Sequence, residues 1–148
     1  MKVEAILRTK GNRVVTVAPE TPLAMVIHKL RQEHIGAMPV SPDGNEVVGI
    51  ISERDVVWGL AEHGIEVLNW HAARLMSHPV KTCTPGDTIK SVMAEMTRSR
   101  LRHLPVIDHG RLAGIVSIGD VVKNRLDELE LEAAVMRDAY IGAAAKFS

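Results

Sequence analysis

The sequence predicts an α+β fold made of two β-α-β-β-α repeats that pack on one another, and two observations carry that reading. The first is internal similarity. Residues 19–57 align with residues 85–122 at an offset of about 66, dropping to about 65 after one residue is lost in a turn. Pro19, Val26, Pro39, Val40, Gly44, Gly49, Ile50, Ser52, Asp55, Val56 and Val57 match Pro85, Val92, Pro105, Val106, Gly110, Gly114, Ile115, Ser117, Asp120, Val121 and Val122, and a repeat of this kind decides the architecture before any single element is assigned. The second is that both copies carry the same local signals in the same order. A unit of about 60 residues with one small sheet and two helices cannot cover both sheet faces, so the copies are expected to pack together.

Each element follows from its residues. A β-branched run, 14–17 in the first copy and 80–84 in the second, reads as the opening strand. A helix start follows, Thr21-Pro22 in one copy and Asp87-Thr88 in the other. Leu23, Val26, Ile27 and Leu30, and then Ile89, Val92, Met93 and Met96, recur at helical spacing and mark one buried face. Short apolar strands are expected at 37–40 and 103–107, turns at 41–45 and 108–111, and second strands at 47–51 and 112–116. Second helices open directly at Ser52 and Ser117.

The linker, 61–76, breaks at His63-Gly64 and then reads as another helix holding Leu68, Ala72 and Leu75, and residues 3–7 occupy the matching place before the first repeat. Past the second repeat, Leu126, Leu129, Ala133, Met136 and Tyr140 form an apolar stripe on a helix that outruns its counterpart. The expected units are 8–62, 72–128 and a C-terminal helical extension, 129–148.

Composition narrows the function. Eighteen basic residues balance eighteen acidic ones, and aromatics are 3% of the chain. There is neither a long-range field to gather nucleic acid or an anionic membrane nor a set of stacking platforms for bases. No signal peptide or spanning apolar run is visible, and Cys83 alone cannot form an intrachain disulfide, so a cytoplasmic setting is expected. Cys83 reads as a small buried thiol, and the methionines, Met25, Met93 and Met96 among them, as core gap-fillers. No His-Glu-x-x-His, Cys-x-x-Cys or Gly-x-Ser-x-Gly is present, and the seven histidines lack ligand spacing. No enzyme activity and no metal are expected.

The most informative motif is Gly49-Ile50-Ile51-Ser52-Glu53-Arg54-Asp55, echoed as Gly114-Ile115-Val116-Ser117-Ile118-Gly119-Asp120. A hydroxyl at a strand end with a carboxylate three residues later suits a ribose site. The Asp accepts from two sugar hydroxyls, while the serine and the open amides of the helix start receive phosphate oxygens. Ser-x-x-Asp is equally the form of a capping box with Asp in place of Glu.

Residues 12–60 and 76–124 resemble CBS (cystathionine β-synthase) domains. The resemblance rests on GIISERD and GIVSIGD, and on the hydrophobic-Pro-Val strands Met38-Pro39-Val40 and Leu104-Pro105-Val106. It implies a Bateman-type module in which two repeats pack by pseudo-twofold symmetry and form two clefts for adenosine-containing ligands: AMP, ADP, ATP, NAD or S-adenosylmethionine. Asp55 and Asp120 would hold riboses, with Ser52 and Ser117 beside sugar or phosphate. Gly36 and Ala37 would flank the base in the cleft of Asp120, and Arg102 and His103 in that of Asp55. The segments around Val15 and Lys81 would offer backbone to the adenine edge. Arg54 and Arg102 make the Asp55 cleft the better phosphate site, whereas the other has only Lys123 or Arg125 within expected reach. The resemblance further implies a homodimer and signalling to a protein target, acting in trans or by assembly because no catalytic or transporter domain is fused. The alternatives are a ligand-free scaffold working through protein contacts and an S-adenosylmethionine sensor.

Overall fold

Each repeat forms an antiparallel strand pair flanked by helices, and the two pairs have equivalent registers. The computed structural model describes residues 1–11 and 13–146. Its elements are helix α1 (Val3–Lys10), α2 (Leu23–Glu33), strands β1 (Ala37–Val40) and β2 (Gly49–Ser52), α3 (Glu53–His63), a 3-10 turn (Gly64–Asn69), α4 (Ala72–Leu75), α5 (Ile89–Ser99), β3 (His103–Asp108), β4 (Arg111–Ser117) and α6 (Ile118–Lys146). In β1–β2, Ala37 pairs with Ser52 and Val40 with Gly49. In β3–β4 the equivalent residues meet, His103 with Ser117 and Val106 with Gly114. The repeat read in the sequence is a repeat in space.

The opening strands are shorter than expected. Runs 14–17 and 80–84 each contribute a single parallel bridge, Val17 to Val40 and Cys83 to Val106. Val17 donates to the Pro39 carbonyl at 3.2 Å and Ser41 donates back to Val17 at 2.8 Å; Cys83 and Ile107 repeat the pattern at 3.0 and 2.8 Å. The next ladder bond would need an N–H on Pro39 or Pro105, and proline has none. Pairing therefore stops, and the carbonyls of Val15 and Lys81 cannot join the ladder.

The flanking helices exchange places. The helix at the chain start, α1, packs on the second repeat: Val3 donates to Asp87 O at 2.9 Å and Glu4 to Pro85 O at 3.0 Å. The linker packs on the first repeat in the same way, Ala72 donating to Thr21 O at 2.8 Å and Ala73 to Pro19 O at 2.9 Å. Val3, Ile6 and Leu7 accordingly lie in the core with Ile89, Met96 and Leu104, whereas Val67 and Ala72 join Leu23, Met38 and Ile51. This crossing gives the matched glycines their role. A Cβ on Gly49 would meet Met76 Sδ at 2.2 Å, and one on Gly114 would meet Leu7 Cδ2 at 2.5 Å, so each glycine seats a side chain from the exchanged segment.

Two further sequence expectations change. The linker is a 3-10 turn followed by the short α4 rather than one helix, and its buried anchor is Val67, with Leu68 only half-buried. Met25 is exposed; it lies opposite the face of α2 that buries Leu23, Val26 and Leu30. Helix α6 runs without a break from Ile118 for 29 residues, far past the 11 of its counterpart α3. Gly64, with φ +76°, ends α3, and the equivalent position in α6 is Leu129, which continues the helix. Cys83 is buried as expected, and burial pushes its thiol up to about 12.

Candidate functional site

A cavity of about 380 Å³ opens where the two repeats meet. The first repeat supplies Gly36, Ala37, Ser52, Glu53, Arg54, Asp55 and Trp58, the linker supplies Ser77, and the second repeat supplies Arg100, Leu101, Arg102 and His103. Local structure explains why these groups converge. Strand β2 ends at Ser52, which caps α3, so the first turn of that helix lines the cavity floor. On the other side, α5 ends at Arg100, whose left-handed φ of +54° turns the chain sharply into β3 and brings Arg100, Arg102 and His103 to the rim.

Ser52 and Asp55 form a full capping box. The Ser52 N–H donates to Asp55 Oδ2 at 2.9 Å, and the Asp55 N–H donates to Ser52 Oγ at 3.3 Å. Ser52 Oγ also donates to Oδ2 at 3.0 Å. The capping reading of Ser-x-x-Asp is thus realised, yet it occupies only one carboxylate oxygen. Oδ1 receives one long bond, from Ser77 Oγ at 3.3 Å, and keeps lone pairs for a ligand. Arg54 lies with its guanidinium 5.8 Å from the Trp58 ring centre, within cation–π range.

The second motif repeats the geometry with a different partner. Ser117 N–H donates to Asp120 Oδ2 at 2.9 Å and Asp120 N–H donates to Ser117 Oγ at 3.1 Å. Lys10, from the end of α1, then reaches the same Oδ2 at 2.8 Å and the Ile115 carbonyl at 3.0 Å. At the equivalent place in the first motif, the Ser77 backbone N–H donates to Ile50 O at 2.9 Å. Burial pushes the Asp120 carboxyl up, but the Lys10 and Ser117 hydrogen bonds and the Lys10 charge outweigh it and hold it below its ordinary value.

The sequence-derived candidates therefore divide. Ser52, Arg54, Asp55, Arg102 and His103 come together as expected, but Gly36 and Ala37 line this same cavity, while Ser117 and Asp120 do not. A Cβ on Gly36 would lie 3.5 Å from His103 Cε1, so both base-flanking pairs meet near the symmetry axis. Val15 packs against the first core, and the Lys81 ammonium turns to Glu95 at 2.9 Å and Ser99 at 2.8 Å; neither lines the cavity. Arg125 pairs with Glu128 instead of reaching Asp120. Sequence reasoning missed Lys10, Ser77, Trp58 and Arg100. The repeat alignment does not extend to Lys10 or Ser77, but Arg100 sits two residues before the flagged Arg102 and was within its reach.

Burial holds the His103 imidazole below its ordinary value. Lys10 and Arg102 add to that effect, and Asp120 and Glu53 oppose it. The ring is the electrostatic meeting point of the two motifs. Among the described residues no cluster of His, Cys, Asp and Glu could hold a metal ion, and no helix is long and apolar enough to cross a membrane.

Comparison with known proteins agrees with this architecture. The chain is similar to the CBS-domain containing protein ATU1752 from Agrobacterium tumefaciens, at 40% identity and a TM-score of 0.81 over 84% of this chain and 99% of that one. It shares its fold with the CBS domain pair of protein MJ0100 solved with 5'-methylthioadenosine and S-adenosyl-L-methionine, at 21% identity and a TM-score of 0.76 over 86% and 98% of the two chains. A Methanocaldococcus jannaschii protein, MJ1225, is 30% identical over 81% of this chain, which spans 42% of that relative's length. The CBS domain family model matches twice, at residues 3–62 and 72–127. With two such matches, equivalent strand registers and a motif of the same geometry in each half, the chain belongs to the CBS domain family and is a CBS-domain pair.

Proposed function

We propose that this pair is a regulatory module that binds one adenine nucleotide (AMP, ADP, ATP or NAD) in the cleft of Asp55 and passes the signal to a protein partner, with no chemistry of its own. The observation that carries the reading is the convergence at that cleft of a partly free carboxylate with three guanidiniums. Asp55 Oδ1 is placed to accept ribose hydroxyls, and Arg54, Arg100 and Arg102 offer planar donors to phosphate. His103 and Ala37 flank the space left for a base, and Trp58 adds an aromatic face.

The Asp120 motif is the weaker candidate, because Lys10 already pairs with that carboxylate at 2.8 Å. Nucleotide therefore enters the Asp55 cleft first. An S-adenosylmethionine sensor is the second reading, favoured by the ligands of the MJ0100 pair. It is the weaker one, because three arginines repel a sulfonium and attract a phosphate. A ligand-free scaffold is the third. The module acts in the cytoplasm as a homodimer to which α6 contributes, since the exposed stripe Leu126, Leu129, Met136 and Tyr140 finds no cover among the described residues.

Thermal unfolding with a panel of AMP, ADP, ATP, NAD and S-adenosylmethionine tests the reading. A ligand at about 100 times its dissociation constant stabilises the fold by roughly 2.7 kcal/mol. A phosphorylated member of the panel is expected to raise Tm most. A rise with S-adenosylmethionine alone selects the second reading, and no rise with any compound selects the scaffold.

A further inference from the structure

The register of the exposed stripe on α6 says more than that a partner exists. Val122, Leu126, Leu129, Ala133, Met136 and Tyr140 follow one another in steps of four and three, the heptad period of a two-stranded coiled coil. All six are exposed, five of them between 42% and 76%. The body of the module does not use this seam. It takes the neighbouring face, burying Val121 and half-burying Asn124, Arg125 and Glu128, and from Leu129 onward nearly every described side chain is exposed. An isolated helical stretch of that length is marginal in water and needs tertiary or quaternary packing. A second group of exposed apolar residues, Leu131, Val135 and Ile141, is interrupted by Asp138 and follows no heptad.

Charge names the occupant. With Leu126, Ala133 and Tyr140 at the first core position of the heptad, Arg125 and Glu132 precede the seam and Glu130 and Arg137 follow it. In a parallel, in-register pair, the residue before the seam faces the residue after it one step on in the other copy. Glu132 then meets Arg137 of the second copy, in both directions, while Arg125 stays with Glu128 of its own chain. An antiparallel pair centred near Leu131 sets Glu130 on Glu130 and Glu132 on Glu132. Shifted by a heptad, it sets Glu130 on Arg137 but leaves Glu132 opposite Ala139, and a shift in either direction overlaps only four of the six seam residues, where the parallel pair overlaps all six.

We infer that α6 pairs with α6 of a second copy of this chain as a parallel, in-register coiled coil through the seam from Val122 to Tyr140. This rests on the homodimer reading above and adds its orientation and contact residues. The two copies then present their nucleotide clefts at the same end of the coil, on opposite sides of its axis and related by its twofold.

Sedimentation of the full chain, with disulfide trapping, tests the inference. Leu126→Cys and Tyr140→Cys are made singly; native Cys83 is 4% exposed and stays silent. The chain is expected to sediment as a dimer at tens of micromolar. Each single variant should cross-link to itself under mild oxidation, because a parallel pair brings like positions within disulfide reach. Met136→Glu, which leaves the module body untouched, should shift the chain to monomer while its unfolding midpoint at low concentration stays unchanged. A dimer in which neither position 126 nor position 140 self-links, or one that Met136→Glu does not weaken, overturns the coil and leaves the homodimer reading standing. A monomer overturns both.

Discussion

Asp55 is both a cap and a candidate ligand group, and the structure allows the two roles to be separated by one pair of substitutions. Asp55→Ala removes the acceptor of the Ser52 N–H at 2.9 Å and of the Ser77 hydroxyl at 3.3 Å. Losing the capping side chain costs about 0.5–2 kcal/mol of stability. If Oδ1 also holds a ribose, a charged hydrogen bond worth about 1.5–3 kcal/mol disappears, and affinity falls roughly ten- to a hundredfold. Asp55→Asn retains an oxygen for the Ser52 N–H, so it should keep most of the stability while losing the charge that strengthens the ribose contact. The assay is calorimetric titration with the best nucleotide, beside urea unfolding of the same preparations. The expected order of affinity is parent, then Asn, then Ala. Two variants that bind like the parent, with Ala destabilised, would show the carboxylate to be a cap and nothing more.

Other outcomes follow from particular contacts. Lys10→Met frees Asp120 at a stability cost below about 1 kcal/mol, since the pair is partly exposed; calorimetry should then find a second nucleotide per chain, where the parent takes one. Gly114→Val drives methyls into Leu7 and should destabilise by about 1–3 kcal/mol through overpacking, read from the urea midpoint. Burial holds the folded value of His103 below the ordinary 6.5. The unfolded chain takes up the proton first, so the ring's contribution to stability is complete above about pH 6.5 and lost as pH falls through the folded value. Unfolding of His103→Gln from pH 7.5 to 5.5 should show a smaller loss than the parent, and parallel curves would remove the assignment.

Local pattern made part of this protein legible and left another part hidden. Short apolar strands, the helix starts at Thr21-Pro22 and Asp87-Thr88 and the doubled Ser-x-x-Asp are short-range signals, and each falls within about two residues of where the sequence placed it. The truncated opening strands were readable in principle, because Pro39 and Pro105 announce a missing N–H, yet the β-branched runs dominated the reading. The exchange of α1 and the linker was not readable. An apolar face on Val3, Ile6 and Leu7 requires burial but does not say against which repeat, and only the seats at Gly49 and Gly114 decide it. Lys10 was hidden for the same reason: its contact with Asp120 spans 110 residues. Its consequence, an occupied second motif, adds to the inequality already expected from Arg54 and Arg102.

The central claim is that the cleft at Asp55 is the nucleotide site. Backbone amide shifts of the labelled chain, recorded during titration with AMP or ATP, test it most directly. The account predicts the largest changes at Ser52 to Asp55, at Ser77 and at Arg100 to His103, with Lys10 and Ser117 to Asp120 little moved at the first equivalent. Changes centred instead on Lys10 and Asp120, or no change at millimolar nucleotide, would contradict it.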